Sequence, residues 1–163
     1  MKQQWLFLLP VAAILFFVAT KCDDDDGSTI PLPVVIQNYL NSHYAGYEIE
    51  ESELDSLCTG TAVYDIELEG DHDQEVELTF DTEGNLLFTE TDIASGNLPA
   101  AVTAGVATSY AGYVIEEAAK LDLAGGGNQY EVELKKDQIH LEVLFAADGM
   151  VICEEAGDDD DDE

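Results

Sequence analysis

The segment Tyr44-Ala45-Gly46-Tyr47-Glu48-Ile49-Glu50-Glu51 returns as Tyr110-Ala111-Gly112-Tyr113-Val114-Ile115-Glu116-Glu117, identical at seven of eight positions. The correspondence runs outward in both directions. Leu32-Pro33 matches Leu98-Pro99, Tyr64 to Leu68 match Tyr130 to Leu134, and Phe80 with Gly84 matches Phe145 with Gly149. The offset is 66 residues up to Asp71/Asp137 and 65 from Val76/Leu141 onward, so one residue is lost between them. A unit of this length is too long for a solenoid repeat and suits a small αβ module.

Each copy opens with a helical pattern. Leu32, Ile36, Tyr39, Leu40 and Tyr44 recur at the helix period, with Pro33 in the first turn and Gly46 just past the end. Leu98, Val102, Val106 and Tyr110 repeat it before Gly112, with Gly105 standing where the first copy has Tyr39. That glycine predicts a helix that either packs closer to its neighbour or is weaker by about 1 kcal/mol than with alanine.

Strand-period segments follow each helix. Tyr47 and Ile49 alternate with Glu48 and Glu50. Tyr64, Ile66 and Leu68 alternate with Asp65, Glu67 and Glu69, and Val76, Leu78 and Phe80 with Glu75, Glu77 and Thr79. Asp81-Thr82-Glu83-Gly84-Asn85 reads as a hairpin turn into Leu86 to Glu90, and the second copy repeats the series from Tyr113 to Glu154. The predicted fold is α+β: two tandem modules, residues 31–93 and 97–155, each one helix packed on a four-stranded antiparallel sheet. The apolar strand face meets the helix, and the other face is solvated and mostly carboxylate.

The ends carry addresses. Lys2 followed by the apolar run Trp5 to Ala19 predicts a signal peptide over residues 1–21, short for a permanent membrane span. Cys22 stands where a bacterial lipoprotein signal places its acylated cysteine, although Lys21 before it is atypical; the alternative is an uncleaved N-terminal anchor. Residues 22–30, with Asp23 to Asp26, read as an acidic tether, and residues 156–163 as an acidic disordered tail. The expected location is an outer-membrane lipoprotein, surface-exposed or facing the periplasm, held to the membrane only by lipid.

The formal charge is −31, and there is no arginine. Past the leader, Lys120, Lys135 and Lys136 are the only lysines. Nucleic acid is excluded as a partner, because phosphate contacts need clustered basic residues. Such a chain attracts basic proteins, cationic peptides or divalent cations, unless the acid serves solubility alone.

No motif carries catalysis. His43, His72 and His140 have no ligand spacing, and no serine or cysteine sits in a nucleophile context. Asp71, Asp73 and Glu75 are alternate acids in one turn and the one weak calcium candidate, against a plain solvated turn. Cys58 and Cys153 are either a disulfide in an oxidising compartment or two separate thiols. The candidate partner surface is the carboxylate face: Glu48, Glu50, Asp65, Glu67, Glu75 and Glu77 in the first copy, Glu131, Glu133 and Glu142 with His140 and Leu144 in the second. Like charges on opposing strands are destabilising, so a basic partner would relieve them; the alternative is a surface that prevents edge-to-edge aggregation.

Leu-Pro opening a helix, Tyr-x-Gly-Tyr-x-Ile at its exit, Tyr-Asp/Glu-Ile/Val-Glu-Leu, and Phe-Asp-x-x-Gly-Asn together resemble the PepSY-like family. These are Leu32-Pro33, Tyr44 to Ile49, Tyr64 to Leu68, Phe80-Asp81 and Gly84-Asn85, and in the second copy Leu98-Pro99, Tyr110 to Ile115 and Tyr130 to Leu134. The second copy departs at Ala146, where the acid is missing, and at Gly105. That family is described as similar to the β-lactamase inhibitor proteins. The resemblance implies a secreted, non-catalytic module with an unknown partner; inhibition of a β-lactamase is not carried over, because no inhibitory loop can be matched. No cofactor is expected other than the calcium of the Asp71, Asp73 and Glu75 turn.

Overall fold

The computed structural model describes residues 29–71 and 74–157. The expected leader, Cys22, the Asp23–Asp26 tether, His72, Asp73 and the tail from residue 158 lie outside them.

Helix α1 spans Val34–His43 and is followed by β1 Glu48–Ser56, β2 Ala62–Gly70, β3 Gln74–Asp81 and β4 Leu86–Asp92. After a 3₁₀ turn at Ser95–Asn97 come α2 Ala100–Ser109, β5 Val114–Leu123, β6 Asn128–Lys136, β7 Ile139–Ala146 and β8 Val151–Ala156. The two helices are built alike. Pro33 and Pro99 stand at the N-caps, and their carbonyls accept from Gln37 N (3.1 Å) and Thr103 N (3.0 Å). Each helix closes with the tyrosine N–H donating to the carbonyl four residues back, Tyr44 to Leu40 and Tyr110 to Val106, both 2.8 Å. Gly46 and Gly112 then take φ of 107° and 90°, which costs glycine nothing, and the chain reverses into a strand.

The expected pair of four-stranded sheets is corrected by the topology. All eight strands form one antiparallel sheet in the order β1 to β8, because β4 pairs with β5 from Phe88↔Leu123 to Asp92↔Ala119. Nothing in either copy's alternation marks that junction as an edge, and unpaired N–H and C=O groups there are better satisfied by the neighbouring copy than by water.

Both helices' apolar stripes are buried in cores of their own. Ile36 and Leu40 pack with Ile66, Leu68, Leu78 and Phe80; Val102 and Val106 pack with Val132, Leu134, Val143 and Phe145. Ile49, expected in the first core, stands opposite the buried Leu68 but is 41% exposed, because β1 is the edge strand of the sheet and has a neighbour on one side only. Gly105 takes the closer-packing option. A Cβ there would lie 2.4 Å from the Gly149 carbonyl oxygen, while the first copy fills the equivalent space with Tyr39, edge-on to Phe80 at 5.3 Å. Gly105→Ala should therefore destabilise the fold by about 2 kcal/mol, although helix propensity alone favours alanine by about 1 kcal/mol. A urea titration showing a gain in stability would contradict this packing account.

Candidate functional site

The strand face opposite the helices is not the flat, solvated surface that alternation suggests. Phe88, Ala119 and Leu121 form a third buried apolar cluster on it, flanked by Leu57, Leu87, Leu123 and Leu144. Residues of all eight strands line one cavity of about 600 Å³, from Asp55 on β1 to Ile152 and Glu155 on β8, so the sheet is curled with this face inside. Cys58, just beyond β1, is joined by a disulfide to Cys153 on β8, with Cα atoms 6.0 Å apart. The two ends of the strand order are thus tied together.

The cavity has an apolar floor and a carboxyl wall. Phe88, Leu121, Leu123 and Leu144 line the floor; Asp65, Glu77, Glu90, Glu131 and Glu142 rise around it, each half-buried. No lysine or histidine is among its lining residues. The repeat places these acids in equivalent pairs, Asp65 with Glu131, Glu77 with Glu142, and Glu90 with Glu155. Registers bring them close, with Glu77 opposite Glu90 and Glu142 opposite Glu155.

Crowding unpaired carboxyls in a half-buried hollow favours their neutral forms. Burial, with the Glu90 and Asp65 charges beside it, pushes Glu77 up to about 9; the proton it holds is donated to Asp65. Burial and the Glu90 and Glu142 charges push Glu131 up to about 9, with its proton donated to Glu142. Glu90 rises to about 7 through burial and then Asp65 and Asp92. Asp65 and Glu142 are raised too, chiefly by burial, and each is partly offset by the hydrogen bond it accepts. Asp65 also accepts from Ile66 N at 2.9 Å.

The sequence-derived surface residues separate into groups. Asp65, Glu77, Glu131 and Glu142 meet in the main cavity. Glu50, Glu67 and Glu75 line an adjoining recess with Glu77, Glu90 and Asp92. Glu133 lies with Glu90, Asp92, Glu117 and Glu131 in a smaller one. Glu48 pairs with Glu69 at the start of β1 and lines none of these three. His140 faces Glu116 at 3.5 Å, and Lys135 faces the same carboxylate at 3.2 Å, so this end of the face is locally neutralised. Sequence reasoning placed Leu144 on this face but missed Asp55, Glu90 and the rest of the apolar floor. The signal was present as the run Leu86-Leu87-Phe88 and as Ala118-Ala119 with Leu121 and Leu123, segments apolar on both faces where a one-sided strand would alternate. For the calcium candidate, Asp71 and Glu75 are both exposed and Asp73 lies outside the described residues; among the described residues no group of three or more His, Cys, Asp or Glu is arranged to hold a metal ion.

The described residues form a curled antiparallel sheet backed by two helices, with an open hollow on the face away from them. The chain belongs to the family described as "putative beta-lactamase-inhibitor-like, PepSY-like", whose pattern matches residues 18–88 and again 80–153. Solved structures share the fold. A DUF2874 family protein from Bacteroides uniformis superposes with a TM-score of 0.56 at 17% identity, covering 77% of this chain and 90% of that one. A protein from Bacteroides eggerthii described as "putative periplasmic" gives 0.56 at 18%, covering 78% and 90%. A BLIP-like protein from Bacteroides fragilis gives 0.50 at 26%, covering 84% and 96%. No curated protein matches the chain. No described helix is long and apolar enough to cross a membrane.

Proposed function

We propose that this chain is a non-enzymatic module of the bacterial envelope, which takes a cationic segment with an apolar tip from a partner protein into the hollow of its sheet. The carrying observation is the cavity itself: an apolar floor of Phe88, Leu121, Leu123 and Leu144, ringed by carboxyls and lined by no basic residue. Apolar side chains gain by displacing water from the floor, roughly 25 cal/mol per Å² covered. Lysine or arginine groups beside them replace the protons and repulsion that the carboxyls otherwise carry. Family membership supports a binding role without catalysis, and the periplasmic description of the eggerthii relative supports an envelope location. Acylation of Cys22, with the Asp23–Asp26 run as tether, completes this reading as a lipid-anchored outer-membrane protein.

The test is calorimetric titration with a synthetic peptide of alternating lysine and leucine at low and high salt. Saturable one-site binding is expected, weakened by salt as electrostatic steering requires. Glu90→Lys with Glu142→Lys should reduce affinity by at least about tenfold, while Glu48→Lys should change it little. Equal affinity for all three folded proteins would remove the hollow as the docking surface.

A further inference from the structure

The repeat duplicates one arrangement of acids inside the hollow. Glu77 on β3 donates its proton to Asp65 on β2, and Glu131 on β6 donates its own to Glu142 on β7. The offsets of 66 and 65 residues carry Asp65 onto Glu131 and Glu77 onto Glu142, so these are two copies of one acid pair. Between them run β4 and β5, which supply Phe88, Leu121 and Leu123 of the apolar floor. The order across the hollow is therefore acid pair, apolar floor, acid pair. Three strand spacings separate β3 from β6, about 14 Å along the sheet. Curling brings the carboxyls nearer than that, and the Glu77 charge is felt at Glu131.

The lysines of the described residues are engaged elsewhere. Lys120 bonds Asp122 at 2.7 Å, Lys135 bonds Glu116 at 3.2 Å, and Lys136 lies over the Tyr113 ring, 5.4 Å from its centroid. Yet acids stand directly opposite acids in formed ladders, with Glu67 and Glu90 on either side of Glu77, and Glu133 and Glu155 on either side of Glu142. Asp55 on β1 adds its charge at both pairs, and Glu90 on β4 acts on Glu77 and Glu131 alike. Two carboxyls within hydrogen-bond reach of each other do not both ionise. Each pair therefore holds one proton in the free protein, in the place where a cation from outside the chain would serve.

We propose that the hollow recognises a guest carrying two cationic groups on either side of an apolar stretch, one group for each acid pair, with the stretch laid across Phe88, Leu121 and Leu123. The proposal rests on the reading of the hollow as a docking site and adds what the docked segment must carry. A single basic group, or a general excess of positive charge, meets only half of the pattern. Each cation takes over from the proton that its pair shares, so binding releases protons. A ligand that displaces protons binds more tightly as they become scarce, so affinity rises between pH 5 and pH 8.

The test compares octane-1,8-diamine with octylamine, probes of one chain length that differ in the second cation, by calorimetry in buffers of different ionisation enthalpy. The diamine should bind at least about tenfold more tightly, as a second linked contact allows. About one proton should be released per cation near pH 7, and methyl resonances of Leu121 and Leu123 should shift. Asp65→Asn with Glu77→Gln, or Glu131→Gln with Glu142→Gln, should each bring the diamine down to the level of octylamine. Glu48→Gln with Glu69→Gln, a facing pair outside the hollow, should not. Equal affinity of the two amines, diamine binding without proton release, or shifts in the hollow with the lysine–leucine peptide alone would overturn the two-pair proposal and leave the hollow a docking site. Failure of both amines and of the peptide to shift any residue of the hollow would overturn both. The amine comparison uses the unaltered chain, so it decides the matter even where a variant does not fold.

Discussion

Replacing Cys58 and Cys153 by serine is expected to lower the free energy of unfolding by about 4 kcal/mol, the largest loss we anticipate from any surface-accessible change. The bond closes a loop of 95 residues, so most of the folded chain lies between its ends. Cross-linking such distant points removes much of the unfolded chain's freedom, and the contribution grows with loop length. The same bond holds the first and last strands of one sheet, where no ladder does so. Urea unfolding of the double variant should show a markedly lower midpoint, and wild type under a reducing dithiol should behave like the variant. Coincident curves for oxidised and reduced protein would show that the bond neither restrains the unfolded chain nor supports the curled sheet.

The second large effect is in pH. Most proteins lose stability in mild acid, because carboxylates paired in the native state must be protonated. Here the sign is reversed for the acids of the hollow. Glu77, Glu90 and Glu131 have folded values raised to about 9, 7 and 9 from an ordinary 4.5. Between 4.5 and those values the folded protein binds more protons than the unfolded chain, so stability falls as pH rises. Their contribution is complete below 4.5 and is lost as pH climbs through 7 toward 9. A loss of roughly 3 kcal/mol or more between pH 5 and pH 9 is expected. Glu77→Gln with Glu131→Gln should flatten that slope and stabilise the protein at pH 8, since the amides keep the shape without the charge. A thermal midpoint that rises from pH 5 to pH 8 in wild type would refute this account of the hollow.

The local structure of each module was legible because its signals are local. Leu-Pro at the helix start, Tyr-x-Gly-Tyr at its exit and the alternation through Tyr64 to Leu68 each restrict the backbone within a few residues. The duplication then verified each element by its copy. The joining of the two sheets was not legible, because pairing of Thr89 with Asp122 or Thr91 with Lys120 leaves no mark in either strand's own pattern. Ile49 misled for a similar reason: its alternation is sound and it does stand opposite Leu68, but that β1 is the edge of the sheet is set by the strand order and not by its own pattern. The carboxyl wall was half legible. Alternation put Asp65, Glu77, Glu131 and Glu142 on one face, but flat-sheet reasoning made that face solvent. Curling is a property of eight strands together, and only then do Phe88 and Leu121 become a floor and Glu90 a wall. The cysteines could have announced the curl. Their repeat partners, Phe88 and Ala124, meet at the central junction, and the same offset brings Cys153 to Cys58.

The most direct test of the binding role is a methyl and amide NMR map of this protein titrated with the lysine–leucine peptide. The account predicts that shifts concentrate at Leu121, Leu123, Leu144 and Ile152, with the exposed helix residues Val34 and Val35 unmoved. Shifts confined to the helices, or spread evenly over the acidic surface without saturation, would contradict it.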